Sequence, residues 1–104
     1  MTAIRYLEAA EEELLTEIGY LERRAQGLGR RFFDQVKRAE SLIAQSPEAS
    51  EEIRPGIPRR LLRQFRYSLI YSLEPEGPLI LAVAHHSRRP GYWIGRVGER
   101  EPRP

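Results

Sequence analysis

The feature that most constrains this chain is a run of apolar residues, Leu79 to Ala84 (LILAVA), that ends abruptly at two histidines. The run is far short of the roughly 18 apolar residues a membrane span needs. Bounded by turn residues, it reads as a strand buried in a domain core. Upstream, Gln64 to Leu73 (QFRYSLIYSL) alternates. Phe65, Tyr67, Leu69, Tyr71 and Leu73 fall on one face, and Arg66, Ser68, Ile70 and Ser72 on the other. The run is rich in the aromatic and β-branched residues that strands favour. Residues 74–78 (EPEGP) form the turn between the two, so the pair is predicted to be a β-hairpin. Ile57 to Leu62, which contains Arg59 and Arg60, is predicted to be the strand before it.

Such a sheet needs a cover. From Glu8 the period changes: Ala10, Leu14, Ile18, Leu21 and Ala25 recur at three- and four-residue spacing, one face of a helix. Glutamates crowd its first turns and Arg23 and Arg24 its last, as the helix dipole favours. The helix is expected to stop at Gly27-Leu28-Gly29, with glycine as the terminating residue. A second helix is expected from Gly29 to Gln45, with Phe32, Phe33, Val36, Ala39, Leu42 and Ile43 on its apolar face. Ser46-Pro47 ends it, because the residue before proline leaves the α region. Residues 3–7 (AIRYL) read as a first strand, residues 46–56 as a loop, and residues 98–104 as a frayed tail. The expected fold is α+β, in the order β-α-α-β-β-β. A helical hairpin packs on a small, mainly antiparallel sheet, in a single domain spanning residues 1–104.

Composition sets the remaining bounds. A chain of 104 residues has room for one modest core. With no cysteine it has neither a disulfide framework nor a thiolate metal site. The first residues carry no basic and apolar leader pattern, so a cytoplasmic protein is expected. The net charge of +2 conceals a polarity along the chain. Residues 1–52 carry eleven acids against seven bases, and residues 53–104 carry ten bases against four acids. Lys37 is the only lysine, so this basic half is all arginine, the side chain suited to bidentate contacts with carboxylate or phosphate. An acidic partner is expected for it.

The candidate chemistry lies after the apolar strand. His85 and His86 are adjacent, so on a strand they face opposite ways and cannot share a metal ion. No metal and no cofactor are expected. The chain has no phosphate-cradling glycine motif, no nucleophile elbow and no paired carboxylates. What remains is His86 and Tyr92 as candidate acid–base groups beside Arg88 and Arg89. Arg59, Arg60 and Arg66 are a candidate row for binding a phosphate or a partner. Trp93 is expected to be a core anchor.

Four stretches carry a family resemblance: YLEAAEEELLTEIGYLE, GLGRRFFDQVKRAESLIAQSP, RQFRYSLIYSL and LILAVAHHSRRPGYW. In this order, and over residues 3–97, the chain resembles the RelE/ParE superfamily, the toxins of bacterial type II toxin–antitoxin (plasmid stabilisation) modules. The resemblance implies a cognate antitoxin that wraps the toxin in a hetero-oligomer. It also implies one of two activities. RelE-like members are metal-independent nucleases that cut mRNA on the ribosome, whereas ParE-like members inhibit DNA gyrase by binding it. Tyr92 falls where the nuclease branch has a tyrosine, and His86 and Ser68 where it has arginines. Arg60 lies near a basic position of that site. A serine at position 68 removes a cation that would stabilise the transition-state phosphate. The expected function is therefore that of a ParE-like gyrase inhibitor. The alternative is an mRNA interferase using His86 and Tyr92, with Arg60, Arg66 and Arg88 on phosphates.

Overall fold

Alternation and turn chemistry build the centre of the molecule first. In the computed structural model, which describes residues 3–100, the strands β4 (Tyr67–Glu74) and β5 (Gly77–His85) form an antiparallel hairpin closed at Glu74 and Gly77. Before them come β1 (Arg5–Tyr6), α1 (Glu8–Arg24), α2 (Leu28–Gln45), β2 (Glu51–Arg54) and β3 (Ile57–Leu61). A 3-10 helix, Ile94–Arg100, follows. The sheet order is β1-β5-β4-β3-β2, with β1 parallel to β5 and every other pair antiparallel.

The expected α+β fold is present, with one strand more than expected. Residues 51–54, read as loop, pair with β3 across a Pro55-Gly56 turn. Gly56 has φ +74°, the value required at the third position of a type II turn whose second position is proline. The start of β4 also moves. Residues 62–66 form the β3–β4 loop, with Leu62 outside the strand predicted to hold it and Gln64 in the left-handed region at φ 66°. Arg66 is therefore a loop residue and not a strand residue. The helix junction differs as well: α1 ends at Arg24, and Gly27, at φ 85°, caps the start of α2 instead of terminating α1. The Glu22 carboxylate accepts the Gly27 and Gly29 N–H groups at 2.9 and 3.0 Å, satisfying donors that a helix start leaves free. Of the segment expected to fray, residues 98–100 continue the 3-10 helix, and residues 101–104 lie outside the described residues.

Two cores flank the sheet. The helix-side core joins Ala10, Leu14 and Leu21 of α1 and Phe32, Val36, Ala39 and Ile43 of α2 to Tyr67, Leu69 and Tyr71 of β4. Phe65 and Leu73 pack against it, so the whole predicted face of QFRYSLIYSL points to the helices. On the opposite face Ile57, Ile70, Leu79, Leu81, Ala82, Ala84 and Trp93 form a second core. Leu81 and Ala82 are neighbours on this one face because the register slips between Ile70↔Ala82 and Tyr71↔Ile80, a bulge in β5. Covered on both faces, β5 is continuously apolar, and Trp93 is 4% exposed.

Candidate functional site

The second face of the sheet carries a cleft of about 360 Å³. Its floor is Ser68 and Ile70 of β4 and Ala84 of β5; one wall is Ile53, Arg54 and Arg59 from β2 and β3, and the other is residues 85–86 and 88–94. Strand register explains which candidates reach it. Arg59 pairs with Ile70 and so shares its face. Arg60 pairs with Leu69, which belongs to the helix-side core, so Arg60 lies on the opposite face. His86, Tyr92, Arg59, Arg88 and Arg89 line the cleft, whereas Arg60 and Arg66 do not. Arg59, Arg60 and Arg66 therefore do not form a single row. Arg66 contributes through its backbone carbonyl, which accepts the His86 N–H at 2.9 Å.

The two histidines diverge. His85 meets the Tyr67 ring edge-on at 4.9 Å between centroids, and its Nδ1 accepts the Ser87 N–H at 2.9 Å. His86 turns to the cleft, where its Nε2 lies 2.9 Å from Ser68 Oγ. Partial burial pushes the His86 imidazole below the usual histidine range; a backbone contact at Tyr67 opposes this, and the charges of Arg59, His85 and Arg66 add to it. This environment favours the neutral imidazole. Ser68, itself 1% exposed, is a hydrogen-bonding floor residue.

Tyr92 is held by a cluster that sequence reasoning missed. Its hydroxyl donates to Glu13 Oε2 at 2.8 Å. Arg96 donates to both Glu13 oxygens, at 3.0 and 2.9 Å, and to the Leu81 carbonyl at 3.0 Å. Glu13 Oε1 also accepts the backbone N–H of Val83 at 3.0 Å. Burial, the Glu13 hydrogen bond and the Glu13 charge together push the Tyr92 phenol well above its ordinary range, and Arg88 and Arg96 offset only part of this. Arg88 stacks over the Tyr92 ring at 3.9 Å from its centroid. A phenol so placed is a hydrogen-bond donor and a poor general base. The signal for Glu13 lay in helical phase: it follows Ala10 by three residues, beside the buried stripe. Arg96 follows Trp93 by three, one turn of a 3-10 helix.

Among the described residues, no group of three or more histidine, aspartate or glutamate side chains is placed to hold a metal ion, and no helix is long and apolar enough to cross a membrane. Arg59 donates to Glu51 at 2.8 Å, its Nε buried without a partner.

Comparison with known proteins adds the family. Among solved structures, this chain is similar to one described as "Chromosomal ParDE TA system from P. aeruginosa". The TM-score is 0.67 and the identity 13%, covering 82% of this chain and 96% of that one, a likeness of fold. No curated protein sequence matches significantly. Residues 4–90 match the family model described as the ParE toxin of the type II toxin–antitoxin system parDE. Two helices on a five-stranded mixed sheet, with a match over most of the chain, place this protein in the ParE toxin family of type II toxin–antitoxin systems.

Proposed function

We propose that this chain acts as a ParE-like toxin that inhibits growth by binding DNA gyrase and is neutralised by a cognate antitoxin. The observation that carries the reading is the Tyr92 hydroxyl, which is committed to the Glu13–Arg96 ion pair. A nuclease using Tyr92 would need that phenol free to exchange a proton with the substrate. With its pKa raised and a carboxylate as its partner, it has no such freedom. Ser68, where the nuclease branch has an arginine, supplies no charge to a transition-state phosphate. Binding requires neither group to react.

The antitoxin reading rests on family membership and on charge. The basic half of the chain suits a segment that is acidic and folds as it binds. The deciding experiment sets a gyrase supercoiling assay beside a ribosome-dependent mRNA cleavage assay, using the purified toxin in both. Inhibited supercoiling with intact mRNA is the expected result. Cleaved mRNA with unimpaired gyrase would replace this reading with the interferase one.

A further inference from the structure

Ser68 and His86 form a pair that gyrase binding leaves unused. Ser68 sits mid-sheet, its backbone paired with Leu61 of β3 and Ala84 of β5, so its hydroxyl is held on a rigid element. His86 Nε2 lies 2.9 Å from Ser68 Oγ, within reach of proton transfer. The neutral imidazole is favoured here, and a neutral ring has one bare nitrogen. With the ring proton on Nδ1, the serine donates to Nε2, the arrangement that activates a hydroxyl nucleophile. A buried hydroxyl needs a partner in any case, and the imidazole supplies one. Three further features exceed that structural need. Both residues line an open cleft of about 360 Å³ and not a closed core. Arg59, which pairs with Ile70 on the neighbouring strand, acts on His86 through its charge and has a buried Nε–H with no acceptor. The cleft also divides its polarity: Ile70 and Trp93 offer apolar surface, while Arg88 and Arg89 have no carboxylate partner among the described residues.

We propose that the cleft is an acyl-transfer site, with Ser68 as nucleophile and His86 as general base, taking carboxylic esters whose acyl chain ends in a second carboxylate. The Ser68 oxygen adds to the ester carbonyl carbon as its proton passes to His86 Nε2. The carbonyl oxygen, now negative, is the acceptor that the Arg59 Nε–H lacks. Collapse of the tetrahedral species breaks the carbon–oxygen bond to the alcohol, which leaves with the proton from His86. Water then repeats the sequence on the acyl-serine. It gives a proton to His86, its oxygen adds to the carbonyl carbon, and Ser68 leaves with that proton as the acid is released. The methylenes of the acyl chain lie against Ile70 and Trp93, and its far carboxylate meets Arg88 and Arg89. The chemistry is independent of gyrase binding, so neither stands or falls with the other.

Covalent labelling of the unaltered full chain tests the proposal. The purified protein is incubated with a sulfonyl fluoride, which sulfonylates activated serines, and peptide mass mapping locates the adduct. Modification at Ser68 is expected, with a proportionate loss of hydrolysis of para-nitrophenyl hydrogen glutarate. No adduct at Ser68, or hydrolysis that survives complete modification, overturns the proposal. Ser68→Ala and His86→Ala should each lower that hydrolysis by roughly 100-fold or more at unchanged circular dichroism. A folded variant with full activity overturns it equally. The labelling needs no variant, so one that fails to fold leaves the test decisive. Substrate class is read from kcat/KM. The glutarate ester should exceed para-nitrophenyl acetate by roughly tenfold, and Arg88→Ala with Arg89→Ala should remove that margin. Equal kcat/KM for the two esters, or a margin that survives both substitutions, overturns the assigned acyl chain.

Discussion

The Glu13 carboxylate holds three groups that are remote from it in sequence: the β5 backbone at Val83, the Tyr92 hydroxyl and the Arg96 guanidinium. Both partners of its ion pair are largely withdrawn from water, at 14% and 18% exposure, so solvent screening weakens the pair little. Replacing Glu13 by Gln should cost about 2–3 kcal/mol, because Arg96 is left desolvated without its counter-charge. Chemical denaturation measures that loss, and a change below about 0.5 kcal/mol would show the cluster to be ornamental. Tyr92→Phe should cost only about 1–2 kcal/mol and leave growth inhibition intact, whereas a nuclease would lose its activity. His86 offers a residue-scale prediction of a different kind. Its folded pKa lies below the ordinary histidine value, so the native state binds fewer protons than the unfolded chain on acidification. Its contribution to stability is thus present above the unfolded pKa and is lost as pH falls towards the folded one. Proton NMR should record a His86 midpoint below about 6.5 that moves upward in Arg59→Gln, since a charge opposing the imidazolium has gone. A midpoint at or above the ordinary value would contradict the geometry.

At the scale of elements, the helical hairpin depends on one close approach. A Cβ placed on Gly29 would lie 2.6 Å from the Ile18 carbonyl oxygen and 3.1 Å from the Glu22 side chain. The first contact is with backbone and cannot be relieved by a rotamer change, so Gly29→Ala should force α1 and α2 apart. Overpacking of this kind costs about 1–3 kcal/mol, a fall of roughly 4–20 °C in Tm for a domain of this size. An unchanged Tm would mean that the hairpin opens freely. This glycine was legible in the sequence as a turn residue and as the start of the second helix, but not as a point of close helix approach. The helices and the β4–β5 hairpin were readable because each carries its own periodicity, and tertiary contacts only reinforced it. β2 was not readable. Glu51-Glu52-Ile53-Arg54 has no apolar alternation and becomes a strand only because a Pro-Gly turn folds it onto β3 and Arg59 pairs with Glu51. Of the five cleft-lining candidates, His86, Arg88, Arg89 and Tyr92 were legible as residue types after a strand end, and Arg59 as an arginine within a predicted strand. The separation of Arg59 from Arg60 needed the register, and the role of Tyr92 needed a partner 79 positions away.

At the scale of the whole molecule, the sheet has two apolar faces and the helices cover only one. The other is closed by Trp93 and the 3-10 helix, which also form a wall of the cleft. Trp93, the only tryptophan, is packed with Ile57, Ile70 and Leu81. The family match ends at residue 90, just before this cover begins. The cover therefore has two duties in this chain, keeping an apolar face from water and holding Arg88, Arg89 and Tyr92 in place. Trp93→Ala should cost about 3–5 kcal/mol, a large share of the 5–15 kcal/mol that stabilises a typical domain. Ending the chain at Pro90 should do more, exposing Ile70, Leu81 and Ala82 together and also freeing Glu13 from Tyr92 and Arg96. An exposed apolar face of that kind recruits a second copy or aggregates. Size-exclusion chromatography of the truncated chain should show oligomers that bind a hydrophobic dye, with the helices retained by circular dichroism. If the truncated chain stays monomeric and dye-free, the second core is not a core, and the cleft wall is an appendage to a sheet that needs no cover.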